Sequence, residues 1–403
     1  VHVLLIHQAF VTQDEAGGTR HYELARHLVS KGHRVTVIAS PVSYLSGRAD
    51  APKPRRETVD GIEVRRAWGY ATTGRSFLAR VLFFASFTLS SFWAALRVPR
   101  VDVVWGTSPP LFQAAGAYVV ARLRRRRFCL EVRDLWPAFA VETGVLRNKA
   151  LIWAAEWVER RLYQGADRII VNSPGFVQHL RERGAKPQEI TLVSNGVDAS
   201  TFPEGVSGAA VRREWGLGED DFVAMYTGAH GVANDLGVLL DAAALLRGNP
   251  RVRVVLVGDG REKAGLMAKA KTMGLTNVVF APPQPKSRMP EVLAAADVCV
   301  ATLQSVPMFR TVYPNKVFDY MAARKPTVLA IDGVIRQVIE EAHGGVFVAP
   351  GDAGALAQAI QKYADDPGLC VRQGRNARAH VVAHFDRTRQ AEELERVFAG
   401  LTS

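Results

Sequence analysis

This sequence predicts an α/β protein of two domains, each a parallel sheet covered by helices on both faces. Three observations predict it. The chain has 403 residues, more than one hydrophobic core usually serves. Strand-like apolar runs alternate with helical periods along it, the pattern of βαβ units. A segment rich in Gly, Asn, Ser, Asp and Pro, residues 194–208, interrupts this alternation, which then starts again.

Taken in order, "VHVLLIH" reads as a first strand, having no basic region ahead of it as a leader would. A helix, "HYELARHLVSKG", and a strand, "HRVTVIAS", follow. "VDVVWGTS" leads into an apolar helix and then "FCLEVRD"; "ADRIIVNS" leads into "PGFVQHLRERG" and "EITLVSNGVD". The second series runs "DFVAMYTG", "VRVVLVGDG", "NVVFAPP", "ADVCVATL", "PTVLAID" and "GGVFVAP", with helical sequence between them. The expected division is a first domain at 1–197, a linker at 198–207 and a second domain at 208–383. A closing helix at 384–403 can pack on either domain, including back on the first.

Composition narrows the function classes. Hydrophobic residues at 48% and charged ones at 22% exclude a disordered chain. Cys129, Cys299 and Cys370 are odd in number and far apart, so they read as reduced packing residues in a cytosolic setting. The longest uncharged apolar window, residues 81–96, is shorter than the roughly 20 residues a spanning helix needs. A net charge of +12 points to an anionic partner. Nucleic acid is the weakest of these, since no nucleic-acid-binding signature is present, and no zinc or calcium motif appears either.

Several segments are candidates for a site. Gly17 and Gly18 lie between the first strand and its helix, where backbone N–H groups can approach an anion or a sugar; a tight turn explains them equally simply. "VVLVGDGRE" opens like a dinucleotide fingerprint but lacks the third glycine, which disfavours NAD. His230 and Gly231 sit in a glycine loop at a strand's carboxyl end, where open α/β sheets bind ligands. Arg133 and Asp134 end "FCLEVRD" in the same way. In "VYPNKVFDYMAARKP" an apolar helix carries Lys316 and Asp319 at i, i+3, either a surface pair or a site.

In this order, "GGTRHYELARHLVSKGHRVTV", "VNSPG", "SNGVDASTF", "VGDGRE", "AADVCVATL", "PNKVFDYMAARKP" and "GGVFVAPGD" resemble the retaining GT-B glycosyltransferases of family 4. "EVRDLWP" and "PNKVFDYMAARKP" look most like the branch that builds bacterial surface polysaccharides, such as the N-acetyl-fucosamine transferases of O-antigen synthesis. The resemblance implies two Rossmann-like domains facing each other across a cleft, with the acceptor on the first and a nucleotide-sugar donor on the second. It places the helix starting at Asn315 and Lys316 at the donor diphosphate and gives Asp319 the ribose. Pro283 and Gln284, in the 282–286 loop, would meet the base. The family's first motif acid falls on Thr311. Its phosphate-binding Arg and Lys fall on Ala229 and Asn234, so His230, Arg310 or Lys316 would have to compensate. Arg133 stands where several relatives have His.

The implied reaction is a hexosyl or hexosaminyl transfer with retention, from a UDP-type donor and without a metal cofactor. Asp134 would orient the acceptor or act as base, Arg133 would hold phosphate, and Gly18, Lys316 and His230 would stabilise the leaving diphosphate. Residues 77–93 are rich in aromatics, with Arg75, Arg80 and Arg97 nearby, and residues 122–127 read "RLRRRR". These suggest an interfacial anchor, hence a peripheral enzyme on the cytoplasmic face of an anionic membrane with a polyprenyl-diphosphate-linked sugar acceptor. Two other readings share the architecture: a nucleotide-sugar 2-epimerase and a non-enzymatic two-lobed sugar-binding protein.

Overall fold

A computed structural model of the chain describes residues 1–42, 53–70 and 77–402, with backbone only for 77–81. Arg75 and the side chains of Phe77, Leu78, Arg80 and Val81 therefore lie outside the described residues. The chain forms two compact units. The first comprises residues 1–11, 18–194 and 388–403; the second comprises 12–17 and 195–387.

The first unit contains β1 (His2–Ile6), α1 (Arg20–Ser30), β2 (Arg34–Ala39), β3 (Arg56–Val59), β4 (Ile62–Arg66), α2 (Phe77–Leu96) and β5 (Val103–Ser108). It continues through α3 (Leu111–Leu123), β6 (Arg127–Val132), α4 (Ala138–Glu142), α5 (Lys149–Gly165), β7 (Arg168–Val171), α6 (Val177–Glu182) and β8 (Ile190–Leu192). The sheet order is β3-β4-β2-β1-β5-β6-β7-β8, parallel except for the β3–β4 edge hairpin. The two-residue turn Asp60-Gly61, both at positive φ (49° and 78°), closes that hairpin. β1 and β5 are buried on both faces, which is why they read as unbroken apolar runs.

The second unit contains α7 (Ala209–Glu214), β9 (Phe222–Thr227), α8 (Leu236–Leu245), β10 (Val252–Val257), α9 (Lys263–Thr272), β11 (Val278–Ala281), α10 (Met289–Ala294) and β12 (Val298–Thr302). After these come α11 (Asn315–Ala322), β13 (Thr327–Ala330), α12 (Val334–Glu341), β14 (Gly345–Phe347), α13 (Ala353–Asp365) and α14 (Pro367–His384). All six strands are parallel, in the order β11-β10-β9-β12-β13-β14. One core joins the sheet to α10, α11, α12 and α14 through residues such as Val292, Phe318, Ile339 and Val381. The other joins it to α8, α9 and α13 through Leu239, Leu266 and Ile360. Each such side chain, fully buried, contributes about 1.5–3 kcal/mol.

The last helix, α15 (Arg387–Thr402), belongs with the first unit from Thr388 onward. Its Ala391, Leu394 and Phe398 enter the core beneath α1, where Phe398 meets Trp105 edge-on at 5.5 Å. All three cysteines are free. Among the described residues no helix is long and apolar enough to cross a membrane.

Both sheets have a point where neighbouring strands lead away in opposite directions, between β1 and β5 in the first and between β9 and β12 in the second. Outside the carboxyl ends of such strands an open α/β sheet leaves a crevice.

Candidate functional site

In the second unit that crevice is built from the loops after β9 and β10 and the start of α11. The two loops are zipped together: Gly228 N–H donates to Val257 O at 2.9 Å and His230 N–H to Asp259 O at 2.8 Å. This closeness requires glycine. A Cβ on Gly258 (φ +145°) would lie 1.9 Å from Gly228 O, and one on Gly260 would lie 2.5 Å from His230 O. The glycine–Asp–glycine sequence thus serves backbone packing rather than a dinucleotide.

His230 is fully buried near Tyr226 and Phe280. Burial, and then the Lys263 charge, lower it to about 4. It is therefore neutral at pH 7 and does not supply the compensating cation the sequence suggested. Arg310 is exposed, and its guanidinium pairs with Asp332 at 2.7 Å. Gly231, at φ −109°, has space for a side chain, so nothing there demands glycine.

Lys316 is different. Its ammonium donates to Tyr226 Oη at 2.6 Å and to Asn234 Oδ1 at 3.1 Å, and lies 3.9 Å from the Tyr226 ring centroid. All these partners are neutral, and among the described residues no carboxylate pairs with it. Burial lowers it to about 7. It stands on the first turn of α11, which follows Pro314 and has no side-chain cap. Uncapped N–H groups at a helix start, beside an ammonium lacking a counter-charge, are the elements from which an anion site can be built. The Tyr320 hydroxyl accepts from Thr227 N–H at 2.9 Å and fixes α11 against the end of β9.

One turn further on, Asp319 accepts a charge-assisted hydrogen bond from Lys286 Nζ, both side chains being mostly buried. Lys286 belongs to the loop after β11, whose Gln284 amide donates to Pro282 O at 3.2 Å and accepts from Arg288 at 2.9 Å. The fold thus joins the segment expected at the base, Pro283 and Gln284, to the residue expected at the ribose. The i, i+3 spacing of Lys316 and Asp319 leads each to a different partner. Asn315 is exposed at the helix start, and Thr311 Oγ1 donates to Met308 O at 2.6 Å.

In the first unit, Gln8, Arg133 and Asp134 lie just past the carboxyl ends of β1 and β6. Arg133 donates to Pro109 O at 3.3 Å, and its Nε is buried without a partner. Burial raises Asp134 to about 6, with the Arg133 charge opposing it. The Gln8 carboxamide is buried with neither its oxygen nor its nitrogen satisfied. Gly17 adopts φ +145°, and nothing lies within 4 Å of a Cβ placed on Gly18.

Behind these residues sits a buried charge cluster that the sequence reading did not find. Glu131 accepts from Arg20 Nε at 2.9 Å and His21 Nε2 at 2.5 Å. Burial works against its charge, but His21, Arg20 and Arg133 outweigh burial and hold the carboxyl well below its usual range. Arg20 also donates to Val193 O and Ser194 O, and His21 stacks on His7 at 4.1 Å. The available signal was a glutamate inside an otherwise apolar strand, "FCLEV". Among the described residues no group of three or more His, Cys, Asp or Glu could hold a metal ion.

Two open parallel-sheet domains with these strand-end sites define a GT-B architecture. Residues 16–196 match the glycosyl transferase 4-like domain and residues 209–380 the glycosyl transferases group 1 family. The chain therefore belongs to the glycosyltransferases built from these two domains. It is 26% identical over 360 residues to WcaI, a glycosyl transferase of colanic acid biosynthesis in Escherichia coli K12, covering 84% of this chain and 86% of that one. It matches about half the length (49%) of the D-inositol 3-phosphate glycosyltransferase of Streptomyces avermitilis, at 29% identity. Its fold is shared with sucrose-phosphate synthase from Thermosynechococcus elongatus (TM-score 0.78, 19% identity, 99% and 98% of the two chains). Anabaena HepE in complex with UDP-glucose shares it too (TM-score 0.73, 17% identity, 99% of each chain).

Proposed function

We propose that this glycosyltransferase moves a sugar of the N-acetylhexosamine type, with retention, from a nucleoside diphosphate to a lipid-linked saccharide during cell-surface polysaccharide assembly. UDP is the first choice of carrier, and the work is done at the cytoplasmic face of a membrane. The observation that carries the reading is Lys316, a partly buried ammonium without a carboxylate partner at the uncapped start of α11. A diphosphate supplies the missing counter-charge. The UDP-glucose complex of HepE and the biosynthetic role in WcaI's name support the choice of donor and pathway class.

In the proposed reaction the anomeric C–O bond to the diphosphate breaks while the acceptor oxygen bonds to the same face. The acceptor proton passes to the departing phosphate oxygen, giving the free nucleoside diphosphate. Lys316 and the α11 amides hold the charge that develops on that oxygen. Asp319 orients the ribose, while Arg133 and Asp134 in the first unit are offered to the acceptor. Thermal-shift screening across UDP-, GDP- and dTDP-sugars, followed by NMR of the product's anomeric configuration with a lipid-linked acceptor, tests this. Inversion, or isomerised donor without acceptor, defeats it.

A further inference from the structure

We propose that the outward faces of α2, α3 and α5 form one platform that rests on an anionic lipid bilayer. This rests on the membrane part of the preceding reading and names the surface that makes contact. α3 packs on β5 and β6 and lies against α2 on one side and α5 on the other, so the three helices form a single layer. Each helix buries one face and leaves apolar side chains on the other. On α3, Val119 and Leu123 are exposed, while Ala114, Ala117, Val120 and Ala121 are buried. On α2, Leu89 and Trp93 are exposed four residues apart, and on α5 so are Trp153 and Trp157. An i, i+4 spacing places each pair on one face. Trp153 is 67% exposed and Trp93 58%, far more than a soluble surface needs of the largest apolar residue.

Charge decides what covers this face. The basic run at residues 122–127 joins the ends of the three helices: Arg122 donates to Gly165 O at the end of α5, and Arg124 donates to Ala95 O and Leu96 O at the end of α2. Arg122, Arg125, Arg126 and Arg127 line a shallow cavity of about 460 Å³ with a single acid, Asp167, which Arg127 already engages at 2.8 Å. Among the described residues Arg125 and Arg126 have no ion pair. A helix layer with exposed tryptophans on its face and unpaired arginines at its ends suits the headgroup layer of a bilayer, which offers both an interface for amphipathic rings and phosphates. A second copy of this face would oppose arginine to arginine, so the occupant that fits is anionic lipid.

The test is co-sedimentation of the full chain with phosphatidylglycerol-containing vesicles and with purely phosphatidylcholine vesicles. Nucleoside diphosphate affinity is measured in parallel by calorimetry. The expected result is binding to the anionic vesicles, weakened at least tenfold by W153S/W157S and by R125E/R126E. Nucleotide affinity should be unchanged, which also shows that the variants are folded. Vesicle binding that survives both variants places contact elsewhere and overturns the platform. A dimer in sedimentation velocity that W153S/W157S converts to monomer assigns the face to a second copy and also overturns it. No vesicle binding at low salt overturns both the platform and the membrane reading, while retained nucleotide affinity leaves the transferase reading standing.

Discussion

Lys316 donates to Asn234 Oδ1 at 3.1 Å, so a cation from α11 reaches the position in the loop after β9 where the family resemblance calls for a lysine. The charge is supplied from a different helix. Lys316→Met should weaken nucleoside diphosphate binding by about 1.5–3 kcal/mol, the range for a hydrogen bond to a charged group. Adding Asn234→Lys to that variant should restore part of the affinity. Calorimetry that finds wild-type affinity in Lys316→Met removes the assignment.

The same residue predicts a pH dependence. Burial lowers the Lys316 ammonium to about 7, so its charged fraction falls as pH rises from 6 to 9. Nucleoside diphosphate affinity should fall over that range, and Lys316→Met should lose this part of the dependence. Folding stability moves the other way. The unfolded chain keeps this proton up to about 10.5, so burial costs most below about 7 and the cost is relieved as pH rises from 7 toward 10.5. A wild-type affinity profile superimposable on that of Lys316→Met would show that the ammonium is not the titrating group.

Asp319 and Lys286 should act as a unit. Asp319→Ala is expected to weaken nucleotide binding by roughly 1.5–3 kcal/mol through the lost contact to the ribose. Because Lys286 holds the carboxylate, Lys286→Met should also weaken binding. A double-mutant cycle should return a coupling of about 0.5–3 kcal/mol. Additive losses would mean that the base loop and the ribose acid work independently.

Glu131→Gln should destabilise the first unit severely. It leaves the Arg20 guanidinium buried without its carboxylate, a change that typically costs about 3–5 kcal/mol. Urea denaturation should show an early transition in tryptophan fluorescence while nucleotide affinity in the second unit is kept. That fluorescence reports mainly on the first unit, because Trp215 alone of the seven tryptophans lies in the second. A shift under about 1 kcal/mol, the value of an exposed pair, would refute the role given to the cluster.

Much of the architecture could be read from local pattern. β1, β5 and β9 are buried on both faces, so their apolar runs are continuous and their parallel pairing follows. The β3–β4 hairpin was overlooked although "VDGIEV" carries an Asp-Gly turn between alternating residues, because the short strands lie at a charged sheet edge. In the site, Lys316 and Asp319 were visible as charges on an apolar helix. Their partners were not: Tyr226, Asn234 and Lys286 come from other strand ends, 90, 82 and 33 residues away. His230 was read as a loop histidine, and only the zipped glycine loops reveal that it is sealed and neutral. Glu131 likewise needs α1 laid across β6 before its charge makes sense.

The position of α15 has a consequence for biosynthesis. The face of the first sheet beneath α1 is completed by Leu394 and Phe398, which leave the ribosome only after residues 195–387 have been made. Until α15 is made, the core around Trp105 holds α1 and the strands but lacks this last layer, while the second unit can close its own sheet first. The first unit, although made first, is thus completed last, a departure from the usual N-terminal-first order of folding along a growing chain.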